Sequence, residues 1–367
     1  MSVASAAAPL AGVRRPALDP GRPFVNPAFD YLVIGGGLSI VALGLLQSGA
    51  FPTLAQLLAR NLWFIVFVAN SAHFAASTVR LYTKPGALRD FRFLALGLPF
   101  LAFAALAAAI TAPSLLGRHL VSLYLTWSPY HYAAQAYGIA VLYCHRSSAG
   151  WDATGRRLLR LSCLLPFLYT FFSLPGAGIS WLVPVAVRTQ PAVAVAVAAL
   201  AGTFRVASFA APLALFFRQQ TGGRAALPLI SLLAVVSNAI WLVPFGYQLP
   251  LVLTTVTVFH GLQYLAIVMI VHVKERTRAG NVPAWRPAAG FYAASLALAY
   301  LLFHLWPRAY VLAGFSYAQS YLLIVSVINV HHFIVDAYIW RLRRDPSYAA
   351  VAAAGASPPP AGAIAPS

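Results

Sequence analysis

The residues in this chain best equipped for chemistry are five histidines and one aspartate set inside apolar segments: His73, His131, His260, His331, His332 and Asp336. An ionisable group in hydrocarbon is expensive, so such residues read as a functional site by default. Each segment also carries a polar residue about one helical turn from its imidazole, where side chains at i+3 or i+4 are neighbours. Asn70 precedes His73 by three positions and Ser77 follows it by four; Gln135 follows His131 by four; Gln263 follows His260 by three. Asn329 and Asp336 flank His332 on one helical face. Metal-bound histidine usually donates its second ring N–H to an acceptor, which fixes its tautomer. The five histidines are therefore expected as metal ligands and Asp336 as ligand or base. Asn70, Gln135, Gln263 and Asn329 are expected to orient the imidazoles.

Imidazole suits Zn, Cu, Fe and Ni. No soft sulfur site competes, because the only methionines are Met1 and Met269, and Cys144 and Cys163 lack metal-type spacing. Asp336 is the one carboxylate expected within the membrane, the other acids falling in loops, tails or boundaries. That argues against a glutamate-rich di-iron bundle and leaves a histidine-rich iron site, mono- or dinuclear. Tyr132, with Tyr130 and Tyr264, is placed to donate protons or line a pocket. Arg205 lies in mid-segment and either pairs with Asp336 or anchors an acidic group of a substrate, lipid or haem. Two other uses of the same residues stay open: b-type haem ligation for electron transfer, and an ion- or proton-coupled transporter.

The elements that must position these groups are transmembrane helices. The 367-residue chain is 60% hydrophobic and only 9% charged, against about 25% charged in soluble domains. Its net charge of +18 sits in short basic clusters between apolar runs, as in polytopic membrane proteins. No aromatic residues interleave with a basic groove, so nucleic acid is excluded as a partner. With roughly 20 apolar residues needed per crossing, about ten spans are expected, near 31–50, 57–80, 91–112, 119–143, 158–184, 191–217, 225–245, 249–273, 288–306 and 310–340. The fifth is interrupted by Pro175, Gly176 and Gly178, so it reads as broken or partly re-entrant. Gly35–Gly37 reads as close helix packing.

The expected fold class is thus an all-α integral membrane bundle. A transmembrane domain over 27–345 is flanked by disordered cytoplasmic tails at 1–26 and 346–367. Basic residues gather where even-numbered spans end, at Arg80, Arg146, Arg218, Lys274 and Arg341 among others, which places both termini in the cytoplasm. The histidines sit on spans two, four, eight and ten, which then run parallel and can share a centre. Their depths differ: His73 lies seven residues before Arg80 but His260 fourteen before Lys274, a mismatch of about 10 Å at 1.5 Å per residue.

The motifs His73-Phe74, His260-Gly261 and His331-His332 resemble those of the bacterial Brp/Blh-type carotenoid dioxygenases. That resemblance implies a wholly transmembrane protein whose scattered histidines hold non-haem iron. Gln263 and Tyr264 stand where that family shows an acidic residue and a further histidine. The HxxxH and HxxHH boxes of membrane desaturases are missing. The function expected is a membrane-embedded iron oxidoreductase or oxygenase acting on a lipid or isoprenoid from the bilayer, in a bacterial cytoplasmic membrane, with an electron donor the sequence does not specify.

Overall fold

The structure is a computed structural model that describes residues 18–84, 86–149, 152–221, 227–243, 250–277 and 282–339. No strand occurs among them. Hydrocarbon leaves backbone N–H and C=O groups no partner outside the chain, so an apolar chain of this kind has to satisfy them within helices.

Ten segments carry the fold. They are α1 (Pro27–Ile34 continued at a 54° bend by Gly37–Ser48), α2 (Leu62–Thr83) and α3 (Phe93–Thr111), α4 (Arg118–Arg146) and α5 (Ala153–Ser173). There follow α6 (Pro191–Gln220), α7 (Leu229–Leu242), then α8 (Thr254–Thr277), α9 (Trp285–Leu312) and α10 (Tyr317–Ile339). Six of them, α2, α3, α6, α8, α9 and α10, are long and apolar enough to cross a membrane, and bent α1 makes a seventh. The chain is an integral membrane protein of several passes. The interruption expected in the fifth segment is real: α5 ends at Ser173, and a separate turn covers Ile179–Leu182.

Helices α2, α4, α8 and α10 form the centre. Successive contacts show that they run parallel. Along α4 and α8, His131 meets His260 and Gln135 meets Gln263. Along α2 and α10, Ser77 meets His332, and further on Leu81 packs with Val335 and Ile339. Around this centre, α9 packs on α2 and α8, α3 packs on α10, and α7 packs on α4. Helices α5 and α6 form a pair that joins the bundle mainly through α4 and α7.

The glycine run near the start makes the bend in α1. Gly36 takes the left-handed conformation at φ 84°, which glycine adopts without steric cost. The bend frees carbonyls in an apolar setting, and neighbouring helices take them up: Gln263 Nε2 donates to Ile34 O at 2.9 Å and Ser237 Oγ to Gly35 O at 2.8 Å.

Two expectations change here. Residues 18–26 are tied into the bundle rather than forming part of a loose tail. Leu229 N donates to Asp19 O, Arg146 donates to the carbonyls of Arg22 and Pro23, and Phe24 N and Val25 N donate to Asp30. Asp30 is accordingly fully buried rather than wetted at a boundary. Arg80, expected as a cytoplasmic flank of its span, is instead buried in a two-pronged ion pair with Glu275 of α8 at 2.5 and 2.8 Å. His73 and His260 meet despite the depth mismatch counted from their basic flanks. The expected tails at 1–17 and 346–367, and the basic cluster from Arg341 to Arg344, lie outside the described residues.

Candidate metal centre

Four of the five histidines meet. His73 of α2, His131 of α4, His260 of α8 and His332 of α10 are buried. Their rings form a closed circuit, with centroids 5.1 Å apart for His73–His260 and His131–His260, and 4.9 Å for His131–His332 and His73–His332. Two triads are compact enough to hold an ion: His73, His260 and His332, and His131, His332 and Asp336, with ligand atoms within 4.8 Å of one another. His332 belongs to both.

The second triad is compact. His332 Nε2 lies 3.2 Å from His131 Nε2 and 3.3 Å from Asp336 Oδ2, and His131 Nε2 lies 3.9 Å from the same oxygen. Donors bound tetrahedrally to one ion at about 2.1 Å stand roughly 3.4 Å apart. The triangle has that size.

The surrounding hydrogen bonds fix which atoms face inward. The Ser77 hydroxyl donates to Phe74 O at 2.9 Å on its own helix, so its oxygen accepts from His332 Nδ1 at 2.9 Å. With its proton on Nδ1, His332 presents the Nε2 lone pair to the centre, which is the tautomer a metal ligand needs. Tyr264 OH donates to Asp336 Oδ1 at 3.0 Å, leaving Oδ2 on the triangle. His332 Nε2 then accepts from His131 Nε2–H at 3.2 Å and stands 3.3 Å from Asp336 Oδ2. A cation in the triangle would take the place of that proton.

Across the ring, the nitrogens of His73 and His260 are buried, and neither nitrogen of His260 has a hydrogen-bond partner among the described residues. Such groups cost about 1–3 kcal/mol each when left unsatisfied. The donor set, nitrogen-rich with one carboxylate, therefore fits a first-row transition ion. Gly261 permits the approach: a Cβ there would meet Ala69 O and His73 Nδ1 at 2.9 Å each.

The other predicted residues fall as follows. His331 is only half-buried and belongs to neither triad. It points around α10 away from His332, as adjacent helical positions must. The four amides do not orient imidazoles. Asn329 Nδ2 donates to Val325 O on its own helix, and Asn70 Oδ1 is buried without a partner. Gln135 Nε2 donates to the backbone carbonyl of His260 and to Gln263 Oε1, both at 3.2 Å. Same-face spacing brought the Cβ atoms together, but each imidazole reaches across the bundle while its amide neighbour bonds elsewhere. Tyr132 packs against His260 with centroids 4.2 Å apart and the rings tilted by 38°, as part of the packing rather than of a pocket wall. Arg205 is excluded from the site: it is exposed on α6, whose contacts run to α5 and α7, and it does not pair with Asp336. Ser77 is the partner that spacing on a single helix misassigned, since its contact is interhelical.

Beside the second triad lies a cavity of about 410 Å³ between α4, α8 and α10. His131, Gln135, Gln263, Tyr264 and Asp336 supply its polar wall, and Trp127, Ile139, Ile267 and Phe333 much of the apolar one. Tyr130, Ala134 and Ala337 line it and are also exposed, so they form its mouth. Tyr130 and Ala134 sit about 18–24 Å along α4 at 1.5 Å per residue, near the middle of a helix of 29 residues.

No family model, curated protein or solved structure matches this chain.

Proposed function

We propose that this chain is a membrane-embedded non-haem iron oxidoreductase of the oxygenase type, acting on an apolar lipid or isoprenoid that enters sideways from the bilayer. The observation that carries the reading is the triangle of His131 Nε2, His332 Nε2 and Asp336 Oδ2, of which His131 and Asp336 line a cavity with a mid-helix mouth. Two histidines and one carboxylate with room beside them is the donor set of non-haem Fe(II) oxygenases. His131, His332 and Asp336 would hold the iron, with His73 and His260 closing it off on the far side. Iron in that position supplies redox chemistry toward dioxygen and the substrate.

The chain's own residues do the rest. Ser77 keeps the His332 proton on Nδ1, and Tyr264 holds one Asp336 oxygen while its hydroxyl supplies a proton at the cavity wall. Trp127, Ile139, Ile267 and Phe333 exclude water and accept the apolar body of the substrate. The packing disfavours haem, because His131 and His332 stand 3.2 Å apart, nitrogen to nitrogen, with no slot for a macrocycle. On the same reading all ten segments cross a bacterial cytoplasmic membrane and both termini face the cytoplasm. In support, Arg146, Arg218 and Lys274 lie at the matching ends of α4, α6 and α8. The resemblance of His73-Phe74, His260-Gly261 and His331-His332 to Brp/Blh-type dioxygenases supports the iron assignment.

Metal analysis and an absorption spectrum of the protein purified in nanodiscs test this. The expected result is stoichiometric iron with no Soret band, and loss of that iron in His332→Ala. A haem spectrum, or full metal content in the variant, overturns it; a protein that binds no metal would instead carry its histidines for ion or proton transport.

A further inference from the structure

The cavity carries a specificity that the metal centre does not account for. Its polar wall includes an amide relay whose orientation is fixed by chemistry. Ile34 O and His260 O are backbone carbonyls and can only accept. Gln263 must therefore present its NH₂ group to Ile34 O, at 2.9 Å, which turns its Oε1 toward Gln135. Gln135 in turn presents its NH₂ group to both Gln263 Oε1 and His260 O, at 3.2 Å each, so both of its N–H donors are used.

What remains is the Gln135 carbonyl oxygen, an acceptor at the end of the relay on a residue that lines the cavity. Gln135 follows His131 by one turn on α4, about 5–6 Å between Cβ atoms. An acceptor with unused lone pairs on the wall of a largely apolar cavity favours a ligand that brings a donor to it, because that ligand gains a hydrogen bond there.

We infer that the cavity selects an apolar molecule bearing a hydroxyl group, an isoprenoid or long-chain alcohol rather than a pure hydrocarbon. Its O–H donates to Gln135 Oε1, and the carbon chain beside that hydroxyl lies against His131 and Asp336. This rests on the proposed function for the identity of the site, and deepens it by naming the functional group the site reads. Tyr264 OH and both N–H groups of Gln135 are already engaged, so an ether, which brings no donor to the Gln135 oxygen, gains nothing comparable there.

Farnesol and its methyl ether are the probes. Both are titrated into the purified protein in nanodiscs, and binding is read by quenching of Trp127, taken as the difference between the native chain and Trp127→Phe. Farnesol is expected to bind about fivefold tighter than the ether, the worth of one hydrogen bond. In Gln135→Met the two should bind equally. Equal binding in the native protein, binding of neither, or an undiminished preference in Gln135→Met overturns the inference. Iron content is measured in parallel on the same samples. It reports on the metal centre independently, so loss of the alcohol preference with iron retained fails this inference alone, and missing iron with the preference intact fails only the metal reading.

Discussion

At the scale of the residue, His332 is the pivot, because it belongs to both triads and its tautomer is set by Ser77. Replacing Ser77 with alanine leaves every ligand in place but frees the His332 proton to move. Iron affinity should fall about 10- to 100-fold, the usual effect of losing such a partner, read by competition with a chelator. His331→Ala should leave iron content unchanged, since that ring lies outside both triads; a loss equal to that of His332→Ala would refute the assignment of ligands. The residue types of the site were legible from sequence, since ionisable groups in apolar runs are few and costly. Their partners were not. Spacing on one helix reports which Cβ atoms share a face, whereas an imidazole bonds wherever its ring reaches, and here Ser77 of α2 serves His332 of α10. Arg205 shows the converse failure, because its isolation in the sequence suggested a role that its exposed place on α6 removes.

Among the elements, the helical segments and the shared direction of α2, α4, α8 and α10 could be read from hydrophobic run length and basic flanks. The pairing of Arg80 with Glu275 across α2 and α8 could not, because basic residues at a span's end read as flanks by composition alone. The Arg80–Glu275 pair holds α2 and α8 together, and the side chains are 8% and 26% exposed. Glu275→Ala removes the carboxylate that faces the buried Arg80 charge and should destabilise the protein by about 3 kcal/mol, seen as a lower unfolding temperature. Replacing both with leucine should recover much of that. The close approach of the same helices at Gly261 gives a second expectation. A methyl group there meets the Ala69 carbonyl at 2.9 Å, which backbone cannot easily yield. Gly261→Ala should cost about 1–3 kcal/mol and reduce bound iron by separating His260 from His73.

Over the whole molecule, the bundle divides into a dense centre and a looser flank. Within their spans, 72% of α8 and 61% of α10 is buried, against 6% of α6. The chemistry sits in the dense part. Arg205→Ala on the flank should therefore leave iron content and alcohol binding as they are in the native protein, measured on the same nanodisc samples. A loss of iron there would mean that α6 reaches the site in a way its contacts do not show.

The order of the ligand helices along the chain has a consequence for biosynthesis. His73, His131 and His260 are made first, but each triad also requires His332, which sits on α10, the last of the described helices. A chain growing into the membrane carries three uncommitted imidazoles through the synthesis of everything between α2 and α10. Neither triad closes before α10 docks, so on the proposed reading metal capture would be the final step of assembly, and a chain stalled ahead of that helix would have neither triad in which to trap an ion.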